Sequence, residues 1–213
     1  MDFKNKDGMV IVENLIEVIH EKKDYLSEID GLIGDGDHGI NMNKGFQLCK
    51  GKIQGRELSM SKALQVLSDT LMTEIGGSMG PLYGVFFEAL AQESGHEEKI
   101  DASVFERMLK SAKKEVEEIG GAKKGDKTLL DTLIPAVEAY SKALSEGKSF
   151  FMALEDLKGA ACDGWNSTKD MVAKIGRASR LGERSRGVLD AGATSCYFIV
   201  DTIASSVQQL IKA

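Results

Sequence analysis

Three aspartates lie close together in a glycine-rich segment, residues 30–45, which reads DGLIGDGDHGINMNKG. Asp30, Asp35 and Asp37 are spaced five and two residues apart, and the glycines between them allow their side chains to converge. Converging carboxylates repel one another unless a cation lies between them. Carboxylate oxygens suit Mg²⁺, which usually completes its octahedron with water and phosphate oxygens. The segment therefore predicts a magnesium site that can also bind phosphate.

The residues directly after the aspartates, His38 to Asn41, are expected to begin a helix. The N-terminus of a helix offers unpaired amides and the positive end of its dipole to an anion. Metal and amides together would form a phosphate-binding site. The alternative, a solvent-exposed acidic turn without a ligand, stays open at this point.

Other interpretations of this segment fail. The run from Gly34 to Gly39 matches G-x-G-x-x-G, but a dinucleotide-binding fingerprint requires a preceding strand, and the preceding residues have a helical pattern. Counted from Asp35, an EF-hand loop would need glycine at Ile40 and glutamate at Phe46. The chain also contains no Walker lysine motif, which excludes a P-loop fold.

Helical periodicity dominates the chain, with apolar residues recurring at i, i+3, i+4 and i+7, and two-residue alternation is rare. We expect no convincing strand and about eight helices, at 8–29, 38–51, 59–75, 79–93, 101–119, 128–145, 149–172 and 190–212. The connections are short and contain no Pro- or Ser-rich linker. We therefore expect an all-helical fold with a single domain over residues 1–213.

The glycines are clustered. The chain has 23, concentrated in four segments: 31–39, 76–84, 120–125 and 176–192. Any one cluster is explained by ordinary helix capping. Four glycine-rich loops at helix ends instead predict one shared ligand site at one end of a bundle, because glycine lets backbone amides approach a ligand closely.

Two of these loops carry further signals. Thr128 and Asp131 match a capping box at the start of a helix. Asp190 is placed to cap the last helix, or to bond a ribose or base. Residues 174–186 hold five cations that would form either a solvated loop or an electrostatic clamp for phosphate: Lys174, Arg177, Arg180, Arg184 and Arg186.

Composition limits the function classes. The net charge of −6 argues against nucleic acid as the main ligand. No apolar run approaches the ~20 residues of a membrane span, and the charged N-terminus lacks a signal-peptide core. Cys49, Cys162 and Cys196 form no CxxC pair and are expected to be buried apolar residues in a reducing compartment. We expect a soluble, cytoplasmic protein.

Several spaced motifs occur in one order: D-x4-D-x-D-H-G-x-N-M, GGSMGPLYG, GDKT-x2-D, GRAS-x-LGERS and DAGATS. From Asp30 to Ser195 the chain resembles the nucleotide-binding L subunit of dihydroxyacetone kinases, the DhaL family. The resemblance implies an antiparallel barrel of eight helices with the nucleotide at one end. It also implies that Asp30, Asp35 and Asp37 hold two Mg²⁺ ions.

The resemblance further implies which residues contact ADP or ATP. The phosphate residues would be His38, Gly39, Ile40, Asn41, Gly77 and Ser78. Gly121 and Leu129 would border the adenine, and Arg177 would contact the nucleotide. Asp190, Ala191 and Gly192 would close over it. The family often has methionine at the position of Leu129 and commonly proline at that of Ala191, so this chain departs from the pattern at both.

The resemblance implies half of a kinase. The family's partner subunit holds dihydroxyacetone covalently through a histidine, and none of the three histidines here lies in such a motif. In one branch of the family, ADP stays bound and is rephosphorylated by a phosphocarrier subunit of the phosphotransferase system; in the other, ATP exchanges. The first branch is favoured. The alternatives are the ATP branch, the related domain of a fatty-acid kinase, and a nucleotide-sensing protein that binds a transcriptional regulator.

Overall fold

The computed structural model describes residues 1–212, which fold into eight α-helices, a two-stranded ribbon and three 3-10 segments. The helices are α1 (Met9–Ile33), α2 (His38–Ile53), α3 (Met60–Glu74), α4 (Met79–Ser94), α5 (Ala102–Gly120), α6 (Leu130–Ser145), α7 (Phe150–Ser167) and α8 (Ala191–Leu210). The strands are β1 (Asp2–Lys4) and β2 (Lys99–Asp101), and the 3-10 segments are Asn5–Asp7, Thr168–Asp170 and Arg177–Ser185.

The helices form a closed antiparallel barrel. Each helix packs against the next along the chain, and α8 returns to pack against α1. The apolar stripe of each helix faces inward; in α1, for example, Val12, Leu15 and Ile19 are fully buried. All eight helices contribute to one continuous hydrophobic core. The predicted all-helical barrel is confirmed.

The alternation of directions gives the barrel two ends. At one end, called the site end below, α1, α3, α5 and α7 stop and α2, α4, α6 and α8 begin. The four connections at this end are the four glycine-rich loops of the sequence. The opposite end, called the far end, holds the remaining connections and both strands.

The predicted helix bounds are wrong in two informative places. Helix α1 continues to Ile33, past the predicted end at residue 29, so that Asp30 lies in its last turn. Helix α7 ends at Ser167 rather than residue 172. The hydroxyl groups of Ser167 and Thr168 donate to backbone carbonyls three residues earlier, at 2.6 and 2.7 Å, and such bonds compete with continued helix. Ala213, the final residue of the predicted domain, lies outside the described residues.

The small ribbon was not predicted from the sequence. Its strands have only three residues each, too few to show alternation, and they pair antiparallel with Phe3 opposite Ile100. Asn5 then ties the ribbon to the helices. Its side-chain amide donates to the carbonyl of Ser94 at 2.8 Å and its oxygen accepts from the amide of Ser61 at 3.1 Å. These contacts close the far end.

The cysteines and the helix lengths bear on two further expectations. Cys49 and Cys196 are buried as predicted, whereas Cys162 is half-buried, and all three are free thiols. Within residues 1–212, no helix combines the length and apolar character that crossing a bilayer would require.

Candidate metal and nucleotide site

The three predicted metal ligands converge at the site end. Asp30 lies in the last turn of α1, Asp35 in the loop that follows, and Asp37 at the residue before α2. Each offers a carboxylate oxygen, and these oxygens lie within 4.8 Å of one another. That span is close to the ~4.2 Å between opposite ligands of a Mg²⁺ octahedron. The donor set, oxygen only and negatively charged, fits Mg²⁺.

Two glycines allow this loop to fold. A side chain at Gly34 would overlap the carboxylate of Asp30, whose backbone carbonyl also accepts the Gly34 amide at 2.5 Å. A side chain at Gly39 would overlap the backbone carbonyl of Lys23 in α1. The first turn of α2 therefore sits directly on α1, which fixes its amides beside the aspartates.

Asp37 lies at the N-cap position of α2, but its side chain does not cap the helix. At the residue before a helix, an aspartate normally accepts an amide of the first turn. The Asp37 side chain makes no such bond, and its carboxylate joins the other two instead. Among the described residues, no side chain accepts from the amides of Gly39 or Ile40, while the amide of His38 donates to Asp30 at 3.3 Å. These free amides can bind an anion.

The predicted cation cluster is divided by the structure. Arg177 forms an ion pair with Asp35, and Arg180 lines a cleft of about 350 Å³ beside it. Lys174 instead pairs with the buried Asp126 at 3.4 Å, and Arg186 bonds within its own loop to Glu183 at 3.0 Å. Arg184 is exposed. The clamp expected from five cations is therefore reduced to Arg177 and Arg180, because Lys174 and Arg186 are used to fold the loop.

His38 belongs to a hydrogen-bonded chain that joins three helices. Its Nε2 lies 2.8 Å from the hydroxyl of Ser195 in α8, which lies 2.6 Å from the hydroxyl of Tyr83 in α4. Burial lowers the pKa of His38 to about 4, so its imidazole is neutral at neutral pH. Burial also raises the pKa of Tyr83 well above its ordinary value. These hydrogen bonds fix the ring of His38, the residue that directly follows Asp37, against α8 and α4.

Asp190 caps α8, as predicted. Its carboxylate accepts the amide of Ala193 at 2.7 Å. Burial raises the pKa of Asp190 to about 7, although the bond from Ala193 acts in the opposite direction. Next to it, Ala191 is buried and Gly192 lies against Leu129; a side chain on Gly192 would be 3.5 Å from the Leu129 amide nitrogen.

The remaining predicted nucleotide residues lie in the other loops of the site end. Gly77 and Gly121 both have left-handed backbones, at φ of 72° and 60°, in the loops before α4 and after α5. Ser78 precedes α4 as predicted but makes no capping bond. Leu129 is 7% exposed at the start of α6. No hydrogen bond within residues 1–212 joins Gly77, Ser78 or Gly121 to the three carboxylates.

Three polar residues of this end were missed by sequence reasoning: Tyr83, Ser195 and Lys127. Each lies inside a motif noted in the sequence, GGSMGPLYG, DAGATS and GDKT. Membership in these motifs was the only sign in the sequence that the three residues matter. Their hydrogen bonds join residues that are 44 to 157 positions apart in the chain. Such pairings do not appear in local spacing.

Comparison with known proteins places the chain in a family. A family model described as the DAK2 domain matches residues 32–205. The chain is 34% identical over 194 residues to the ADP-binding subunit DhaL of the PEP-dependent dihydroxyacetone kinase of Escherichia coli K12, covering 91% of this chain and 92% of that subunit. It is 31% identical over 207 residues to the DhaL subunit of PEP-dependent dihydroxyacetone kinase 2 of Listeria innocua, covering 94% of each.

In longer relatives, the region similar to this chain is only one part of the protein. The L-erythrulose kinase of Pectobacterium atrosepticum is 35% identical over 183 residues, which are 84% of this chain and 31% of that enzyme. Among solved structures, the dihydroxyacetone kinase of C. freundii in its native form superposes with a TM-score of 0.70 at 23% identity, over 93% of this chain and 34% of that one. This last likeness concerns the fold.

Proposed function

The chain belongs to the DhaL family of DAK2-domain proteins, and from that premise we propose that it is the nucleotide-binding subunit of a dihydroxyacetone kinase. The whole chain acts as one domain that holds ADP or ATP at the site end through two Mg²⁺ ions. The phosphoryl group passes to dihydroxyacetone bound on a partner subunit. The observation that carries the proposal is the convergence of Asp30, Asp35 and Asp37 beside the free amides of α2.

Each part of the site has a place in this function. Bound Mg²⁺ would neutralise charge on the phosphates and on the group in transfer. The three carboxylates hold the metal, and the first turn of α2 orients the phosphates. Arg177, which pairs with Asp35 here, can exchange that carboxylate for a phosphate oxygen once metal neutralises the aspartate.

The other end of the nucleotide would meet a less polar surface. Leu129 is nearly buried and lies against Gly192, so it supplies an apolar wall for a base. Asp190 and Ala191 begin α8 at the same place and would close over the ligand. Leucine in place of the family's usual methionine keeps this wall apolar.

The acceptor would come from outside the chain. The rim of the site exposes aliphatic side chains beside the aspartates: Leu32 is 63% and Ile40 64% exposed. A substrate-binding subunit that covers these residues would exclude water and place its triose at the phosphate. Because the relatives in Escherichia coli and Listeria innocua are named PEP-dependent, we place this chain in the branch that keeps ADP bound and uses a cytoplasmic phosphocarrier subunit.

Reconstitution tests this proposal. The chain alone should not phosphorylate dihydroxyacetone with ATP. With a substrate-binding subunit, a phosphocarrier and its phosphate source, activity should reach an ordinary kinase rate of ~1–100 s⁻¹, and mass spectrometry of the purified chain should find bound ADP.

Full activity of the chain alone would refute the half-enzyme assignment. Activity with the partner and ATP, without a phosphocarrier, would assign the chain to the ATP branch. Capture of a DNA-binding regulator in place of the substrate subunit would indicate a sensing role.

A further inference from the structure

Lys127 is an unusual residue for its position. Its side chain is only 1% exposed, and among residues 1–212 it is the one non-glycine residue with a positive φ, 63°. Burying an ammonium is costly unless its donors are satisfied, and a left-handed backbone is unfavourable for lysine. Both costs are tolerated just before α6, at the site end.

The ammonium is saturated by backbone carbonyls. It donates to the carbonyl oxygens of Met171, Ser185 and Val188 at 3.2, 2.5 and 2.6 Å, one for each of its protons. All three hydrogen-bond partners of the ammonium are uncharged, and among the described residues it forms no ion pair. Lys127 therefore binds three carbonyls as a coordinated cation would.

These three carbonyls all belong to the segment between α7 and α8, residues 171–188. That segment buries few side chains, chiefly Ala173 and Ser185. Its other bonds are local or polar: the amide of Ala173 donates to the Ser185 hydroxyl at 2.9 Å, and the amide of Lys174 to the carbonyl of Asp126 at 3.1 Å. With so little apolar contact, polar anchoring must supply much of its order.

The same segment carries Arg177 to the metal cluster. Arg177 begins the 3-10 segment Arg177–Ser185, which packs against α1 and ends at one of the carbonyls bound by Lys127. Release of that carbonyl would free the segment that places Arg177 on Asp35. The segment Arg177–Ser185 thus links Lys127, which binds its last carbonyl, to Asp35, which pairs with its first residue.

We propose that Lys127 is a positioning residue that holds segment 171–188 over the site end, so that Arg177 is presented to the metal-bound nucleotide. The effect of Lys127 on nucleotide binding rests on the proposed function. Its anchoring of segment 171–188 does not depend on that function. Lys127 acts through Arg177, since its ammonium donates to backbone carbonyls and makes no hydrogen bond to Asp30, Asp35 or Asp37.

Hydrogen exchange on the unmodified protein tests the anchor without any variant. The amides of Ala173 and Gly187, which donate to the Ser185 hydroxyl and the Lys169 carbonyl, should exchange slowly although they lie outside any α-helix. Exchange at the rate of an open loop would overturn the proposal. This measurement stands whether or not nucleotide binds.

Substitution tests the consequence. Lys127→Met should lower the affinity for ADP with Mg²⁺ by about 10–100-fold, the range found for outer-shell partners of metal sites, and should speed exchange of the same two amides. Lys124→Met is the matched control, since Lys124 lies in the same loop with its side chain 57% exposed. Lys127→Arg, which keeps the cation, should recover part of the affinity. Trp165, the single tryptophan, bonds to Thr194 in α8 and provides a fluorescence signal for the titrations.

A double-mutant cycle separates positioning from general stability. If Lys127 acts through Arg177, Lys127→Met should cost much less affinity in an Arg177→Ala background than alone. Equal losses in both backgrounds, or full affinity in a folded Lys127→Met variant, would overturn the inference. If the unmodified chain fails to bind ADP with Mg²⁺, the proposed function fails, and the exchange measurement still decides the anchor.

Discussion

The far end and the site end of the barrel begin their helices in different ways. At the far end, α3, α5 and α7 each start with a side chain that accepts backbone amides of the first turn, at 2.9–3.3 Å: Ser59, Asp101 and Ser149. At the site end, α2 and α4 start after Asp37 and Ser78, and neither side chain makes such a bond. Asp37 and Ser78 are residue types that cap helices as well as Ser59, Asp101 and Ser149 do, but only the latter three act as caps.

This difference shows how the same residue type serves stability in one place and binding in another. A capped helix start satisfies its own amides and offers nothing to a ligand. The starts of α2 and α4 leave amides free and, at α2, place a carboxylate in the acidic cluster. Helices α6 and α8 are intermediate, since Thr128 accepts the Leu130 amide at 3.2 Å and Asp190 caps α8.

The largest expected effect comes from removing a carboxylate of the site end. Asp35→Ala or Asp37→Ala should lower the affinity for ADP with Mg²⁺ by more than the ~10–100-fold that loss of an outer-shell partner costs, while helical circular dichroism is retained. Asp24→Ala, an exposed aspartate on the same helix as Asp30, is the control and should bind normally. Calorimetry that found unchanged affinity in both site variants would remove the basis for a metal role.

Ligand binding should stabilise the protein and distinguish its two ends. A ligand that binds only the folded state adds about 2.7 kcal/mol to the free energy of unfolding at a hundredfold excess over Kd. ADP with Mg²⁺ should therefore raise Tm by several degrees, and EDTA should reverse the rise. In hydrogen exchange, the loop of residues 34–37 should gain local protection, but the ribbon at the far end should not. A ribbon protected as strongly as the loop would contradict a site confined to one end.

Asp190, the residue that caps α8, should make the free energy of unfolding depend on pH. Because burial raises the pKa of Asp190 from 3.8 to about 7, the folded state holds this proton more tightly than the unfolded chain. Its contribution to stability is therefore fully present below about pH 4 and is lost as pH rises to about 7, with a slope of at most ~1.4 kcal/mol per pH unit. Asp190→Asn, unfolded with urea without ligand, should lack this slope. Asp163→Asn, at an exposed site on α7, should keep it; parallel profiles for wild type and Asp190→Asn would refute the assignment.

The smallest expected effect compares one cap from each end. Ser149→Ala removes a capping bond at the far end and should cost about 1 kcal/mol in the free energy of unfolding. Ser78→Ala at the site end removes no such bond and should change that free energy by only a few tenths of a kcal/mol. Neither should alter ADP affinity much, because Ser149 lies at the far end and the proposed contact of Ser78 with phosphate is made by its backbone amide. Equal losses of stability in urea unfolding would mean that Ser78 caps its helix as Ser149 does, and would contradict the difference between the two ends.

Much of the fold could be predicted from the sequence, for a local reason. Stripes such as Val12, Leu15 and Ile19 repeat within one helix, so their period can be counted along the chain. The ribbon could not be predicted in this way, since Phe3 and Ile100 lie far apart in sequence within strands of three residues. The sequence also could not show which cations of the loop face the aspartates. Lys174 and Arg177 lie close together in one loop, but their partners, Asp126 and Asp35, come from two different loops.

The number of helices, the four glycine-rich loops and the choice of the three aspartates could be predicted from the sequence alone, because they depend on residue type and short spacing. Three features depend on how the chain folds in space: α1 extends through Asp30, the side chain of Asp37 joins the carboxylate cluster instead of capping α2, and Lys127 is buried against three carbonyls. The physical reason is that hydrogen bonds and burial are settled by which segments meet, and those segments meet only when the barrel closes through α1 and α8.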